Sequence, residues 1–277
     1  MSLTAVDLTS QARKPLPPGR YGLSGLLRSE WTKLRSVRST MWTLGLTLVI
    51  GIGVSALATG ETRAHWSTMS LASRATFNPI STSLAGVFFG QLTIGILGAL
   101  VMSSEFGTGT IRATLSAAPR RPMVLVAKAV VFGLVALIIA EVVAFASFLL
   151  GQALLSAPAT HATFASKGAL SAVIGTGLYL CMIGLFALGL ATIVRHTAGA
   201  ITAFVGLLLV LPAVAHALPN SMYFALARFL PDRIGIAIMS QRAGAHAFAP
   251  WVGFGVLCGY AVAVLVIGGV LMARRDA

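Results

Sequence analysis

The chain has 277 residues, of which 57% are apolar and only 10% charged, with a mean hydropathy of +0.89. So little charge excludes an ordinary soluble domain and makes a bilayer the natural solvent. A net charge of +13 would suit a nucleic-acid binder, but the 20 Lys and Arg residues are scattered in short polar segments between apolar runs, so membrane topology accounts for them and a nucleic-acid partner is not expected.

Residues 1–21 contain Pro15, Pro17, Pro18 and Gly19 with little apolar content and read as a disordered tail. The first forty residues are polar and basic and hold no apolar core ahead of a small-residue cleavage site, so the first span is expected to stay as an anchor. Across residues 22–40 the pattern changes: Leu23, Leu26, Leu27, Trp31, Leu34 and Val37 recur at steps of three or four, with Arg28, Lys33, Arg35 and Arg38 opposite. This predicts an amphipathic helix lying on an anionic leaflet with Trp31 at headgroup depth and Glu30 able to pair with Lys33. The alternative is a water-exposed juxtamembrane helix whose basic residues only fix orientation.

Six apolar runs follow, at 41–59, 84–102, 129–155, 169–194, 198–218 and 251–273, each near the roughly 20 residues that a helix needs to cross the hydrocarbon. Residues 22–277 thus form a single transmembrane domain. Only Arg195, His196 and Thr197 separate the fourth run from the fifth, which forces a tight antiparallel hairpin. With an even number of spans both termini share a side. Placing them in the cytoplasm puts fourteen basic residues inside against six outside, Arg63, Arg74, Lys167, Arg228, Arg233 and Arg242, as the positive-inside rule favours. Glycine pairs at i, i+4, Gly86 with Gly90 and Gly255 with Gly259, would let another helix approach closely.

Chemistry is sparse. There is no His-Glu-x-x-His, Cys-x-x-Cys, Gly-x-Ser-x-Gly or phosphate-binding loop, and the five histidines lack metal-ligand spacing. Cys181 and Cys258 both lie in apolar stretches and read as small buried hydrophobes. Seven acidic residues leave few pairs for acid–base work, so no catalytic, cofactor or metal site is expected in this chain. Glu141 stands out near the middle of the third run, where a carboxylate must face protein or water. Gln91 on the second run sits at similar depth, so a hydrogen bond between a protonated Glu141 and Gln91 is one expectation. A polar lining residue on a substrate path, or a protonation site, is the other.

The loop between the second and third runs, Glu105-Phe-Gly-Thr-Gly-Thr-Ile-Arg-Ala-Thr-Leu-Ser-Ala-Ala-Pro-Arg-Arg-Pro-Met-Val-Leu-Val-Ala-Lys128, mixes charge, glycine and a helical stretch. Gly107 and Gly109 break the second span, Thr110 can cap a short helix through Leu115, and Pro119 stops it before Arg120 and Arg121. An acidic residue followed by Gly-Thr, a Leu, a Pro, an Arg and a Lys opening the next span resembles the type-2 ABC exporter permeases. The basic preface Arg28-Ser-Glu-Trp-Thr-Lys-Leu-Arg35 resembles the actinobacterial members of that family.

The resemblance implies an all-α, six-span permease with an amphipathic interface helix and a cytoplasmic coupling helix between spans two and three, in a bacterial cell membrane. It implies that Glu105, Gly109, Thr110, Arg112, Leu115, Pro119 and Arg121, with Arg28, Glu30, Lys33 and Arg35, contact a separate ABC ATPase subunit. ATP and magnesium would belong to that subunit, and a second permease copy or homologue would complete the pathway. It also implies short, partly re-entrant helices between spans five and six, where Pro219, Pro231 and Pro250 interrupt an apolar stretch and Asp232 can cap a helix through Met239. That segment either lines an outer exit or rests on lipid headgroups. Two rival functions are an ion- or proton-coupled secondary transporter using Glu141, and a non-transporting immunity or structural protein.

Overall fold

The computed structural model describes residues 22–117, 121–155, 159–242 and 247–274, and every regular element among them is helical. Expectations that fall on residues 1–21, on Pro119 and Arg120, and on the Arg112 side chain lie outside the described residues. The first helix, α1 (Leu23–Ser36), is followed after Val37 by α2 (Arg38–Ala64), the first span. Short helices α3 (Leu71–Thr76) and α4 (Pro79–Ser83) lead to the second span, α5 (Val87–Gly107). A loop helix, α6 (Thr110–Ala117), precedes the third span, α7 (Arg121–Leu154). The fourth span is α8 (Ala169–Val194), whose limits coincide with the apolar run.

Span five is composite: α9 (Thr197–Val205), a π-helical segment Gly206–Val210 and α10 (Leu211–His216). The π segment has a local cause. Pro212 has no N–H to give the carbonyl of Leu208, and the ladder widens just where that bond is lost. After α11 (Asn220–Ala227) and α12 (Pro231–Ser240), span six is α13 (Pro250–Arg274). Six helices among the described residues are thus long and apolar enough to cross a membrane.

The centre of the bundle is α8, which packs against α5, α7 and α13, with α9 and α12 also in contact. Lipid tails are as apolar as leucine, so span association rests on close packing more than on hydrophobic burial. Two crossings show it. A Cβ on Gly98 of α5 would fall 2.2 Å from the Gly184 carbonyl oxygen of α8, and one on Gly86 would fall 1.8 Å from the Gly51 carbonyl oxygen of α2. At the second crossing the Gly86 N–H donates to Ser55 Oγ at 3.0 Å. Gly90 makes only ordinary contact, its added Cβ 3.9 Å from Leu180. Gly255 and Gly259 have nothing within 4 Å, so that pair holds no helix among the described residues.

The α8–α9 hairpin turns on Arg195, at φ 60°, and on His196, whose Nδ1 accepts from the Gly199 N–H at 3.3 Å. Arg195 Nη2 donates to the Leu271 carbonyl at 3.0 Å, anchoring the end of α13. Between spans five and six, α12 buries Ile234, Gly235, Ala237 and Ile238, packing against both α8 and α13. Asp232 is not its cap: Leu230 occupies that position and Asp232 lies in the first turn, because Pro231 opens the helix one residue earlier. Burial pushes the Asp232 carboxyl above its usual range, with Arg233 and local hydrogen bonds opposing.

Candidate functional site

At one end of the bundle four elements meet on four charged side chains. α1 turns the face containing Leu26, Glu30, Lys33 and Leu34 toward the protein, a spacing of one helical stripe, and leaves Leu23, Trp31 and Val37 outward. Glu105 sits in the last turn of α5. Lys128 sits in the second turn of α7, a helix of 34 residues and so about 51 Å long, well beyond the hydrocarbon thickness. The extra length carries the lysine out to the depth of Glu105.

The geometry is a closed ion-pair cluster. Lys128 Nζ lies 2.5 Å from Glu30 Oε2 and 2.9 Å from Glu105 Oε1. Lys33 Nζ lies 2.8 Å from Glu30 Oε1 and 2.9 Å from the same Glu105 oxygen, and donates to Thr114 Oγ1 of α6 at 3.3 Å. The Lys128, Glu30 and Glu105 side chains are 3%, 4% and 10% exposed, whereas Lys33 is 37% exposed. Burial alone would lower the Lys33 ammonium, but hydrogen bonds and attraction from Glu30 and Glu105 outweigh it and hold it above the ordinary lysine range. Glu105 Oε2 is enclosed with no hydrogen-bond partner among the described residues.

Beside the cluster is a cleft of about 470 Å³ between the α1–α2 junction, α5 and α6, with Leu97, Leu100 and Val101 as apolar lining and Thr40, Thr43, Ser104 and Thr108 as hydroxyl lining. The loop helix is hinged at Gly109, at φ 71°, where a side chain would be strained. Thr110 is its first residue and not its cap. Its hydroxyl is 3.0 Å from that of Thr108. Ile111 and Leu115 are 3% and 8% exposed and fold back into the core, so the outward face of α6 carries Thr110 and Ala113.

Of the expected contact set, Glu30, Glu105 and Leu115 are buried in the isolated chain, Glu30 and Glu105 lining the cleft. Gly109, Thr110, Arg28 and Arg35 are exposed, and Arg121 is partly so. Lys128, the lysine that opens the third span in the motif, closes the cluster although the expected contact set does not include it. Its signal was depth: a lysine just before the third apolar run and a glutamate just after the second, on neighbouring spans.

The Glu141–Gln91 hydrogen bond is not formed. Gln91 Oε1 accepts instead from the Tyr179 hydroxyl of α8 at 2.5 Å, and both side chains are buried. Glu141 faces α8 elsewhere, in space that Gly177 leaves open: a Cβ there would fall 2.3 Å from the carboxyl carbon. Its Oε2 has no hydrogen-bond partner among the described residues. No group of three or more His, Cys, Asp or Glu suited to a metal occurs among the described residues.

Among the described residues, six helices long and apolar enough to cross a membrane, with α1 and α6 tied to them at one end, define a multi-pass membrane protein. The family model of the ABC-2 family transporter proteins matches residues 26–212, more than half of the chain, and the chain belongs to that family. It is accordingly a membrane transport component, of the permease type. No curated protein matches it significantly.

Proposed function

We propose that the chain is the membrane-spanning permease subunit of an ATP-driven exporter in a bacterial cell membrane, building a substrate pathway with a second permease copy or homologue and coupling to a separate ATPase subunit. ATP and magnesium belong to that subunit, and this chain's part is mechanical. Both termini and the 103–128 loop are cytoplasmic in this reading, in line with the basic bias of the sequence.

The observation that carries the reading is the joining of α1, α5, α6 and α7 through Glu30, Lys33, Glu105, Lys128 and Thr114. A displacement of α6 is shared by the interface helix and by two spans, one of which, α7, runs the full depth of the bundle. Rigid elements joined in this way pass a push at one end to a cavity far from it. The surface left for the ATPase subunit is the outer face of α6 with Gly109, Thr110 and Ala113, flanked by Arg121 and by Arg28 and Arg35 of α1.

The test is co-purification of an ATPase subunit with the tagged chain, followed by transport in vesicles holding both. A stoichiometric ATPase and ATP-dependent transport support the reading. The chain purifying alone and transporting on an ion gradient without ATP would support the second reading, a secondary transporter, which the unpartnered Glu141 Oε2 favours.

A further inference from the structure

Away from the ion-pair cleft, α7, α8 and α13 enclose a groove of about 920 Å³ on the outer surface of the bundle, apolar along its length and ending at Arg274. It runs along α7 from Pro122 to Leu137, about 22 Å at the helical rise, and so spans more than the roughly 15 Å of one leaflet's hydrocarbon. Its floor is Cys181 and Leu185 of α8. Gly269 on α13 borders it, where an added Cβ would make only ordinary contact with Leu125, at 3.6 Å, and a larger side chain would project into the slot. Arg274 is exposed at the mouth, and no hydrogen bond or ion pair engages it among the described residues.

We propose that this groove binds one anionic phospholipid, its acyl chain along α7 and α13 and its phosphate on the Arg274 guanidinium. An apolar slot in a bilayer has no hydrophobic preference among lipids, because every tail offers the same hydrocarbon. Selectivity therefore comes from the mouth, where a guanidinium pairs with a phosphate in fork geometry and favours a headgroup that carries no choline-type ammonium to offset that phosphate and repel the arginine. A second copy of this chain is the weaker occupant. A twofold contact would set the same concave surface against itself and leave both grooves empty, whereas a flexible acyl chain fills one. The site makes no use of the coupling cluster and stands whether or not an ATPase partner exists.

The experiment is native mass spectrometry of the full chain from nanodiscs of equal phosphatidylglycerol and phosphatidylcholine with identical acyl chains. One phosphatidylglycerol is expected to survive per chain, at five-fold or more over phosphatidylcholine. Arg274→Gln should bring that ratio close to one while Arg274→Lys keeps most of it, and Gly269→Leu, which fills the slot, should remove both lipids. Gly269→Ala guards against a folding artefact, since its methyl is accommodated, and should match the parent. Equal retention of the two lipids by the parent chain, or Gly269→Leu retaining lipid as the parent does, overturns the proposal. So does a lipid-free dimer that Gly269→Leu converts to monomer, which would make a second copy the occupant.

Discussion

Lys128 of α7 and Glu30 of α1, 98 residues apart in the chain, meet with Nζ 2.5 Å from Oε2, and both side chains are nearly sealed from solvent. Removing one member of a buried pair strands the other charge and typically costs about 3 to 5 kcal/mol. Lys128→Met is therefore expected to lower stability by that order in denaturation from detergent micelles. Adding Glu30→Gln should recover part of the loss, because the stranded carboxylate is then neutral. Lys33→Gln, at a partly exposed position, should cost about 1 kcal/mol or less. Equal effects at Lys33 and Lys128 would mean that burial does not set the strength of the cluster.

The cluster should also be insensitive to pH over the physiological range. Lys33 is held above the ordinary lysine value, so its contribution is complete below that value and lost only as pH rises through the raised one. A melting scan from pH 6 to 9 is expected to show no change assignable to Lys33, with the parent and Lys33→Gln curves running parallel. A difference that grows across that interval would contradict the assignment.

Close packing between spans two and four predicts a sharp contrast among glycines. Gly98→Val pushes its side chain into the Gly184 carbonyl and should abolish a folded, monodisperse product, whereas Gly259→Ala meets nothing within 4 Å and should be silent in the isolated chain. Size-exclusion profiles of the two variants decide it.

For Glu141 the expected order is Gln tolerated for folding and Leu harmful, since the half-buried side chain faces α8 at the depth of Gly177 and an amide keeps its shape. Expression and transport are scored together. Glu141→Gln that folds normally but no longer transports would assign the carboxylate a protonation role in place of a packing one.

Much of the bundle was readable from hydropathy because a span is a long uniform signal: the limits of α8 coincide with the fourth run, and the Arg195–Thr197 break is a tight hairpin. Pairings were harder. Gln91 and Glu141 lie at similar depth, but depth does not fix azimuth, and Tyr179 on a third helix has the better approach to Gln91. The i, i+3 pairing of Glu30 with Lys33 was legible as local geometry. Its extension to Glu105 and Lys128 was not, because it depends on how far α7 projects past the hydrocarbon. The same limit explains why the burial of Glu105 and Leu115 was not legible. A loop rich in glycine and charge gives no hint that its helix folds back on the bundle.

Burial of Glu105 also changes how coupling is best probed. Reversing it would crowd three ammonium groups with one carboxylate and damage the fold, so the outward face of α6 is the better place to intervene. The decisive measurement is ATP-driven transport and ATPase co-purification, in vesicles reconstituted with the partner subunit, for Ala113→Trp on that face and for Ser70→Trp at an exposed position between α2 and α3. Both variants should insert and fold. The account predicts that Ala113→Trp loses partner binding and coupled transport by ten-fold or more while Ser70→Trp matches the parent. Full coupled activity in Ala113→Trp would contradict it and reduce the loop helix to a topological anchor.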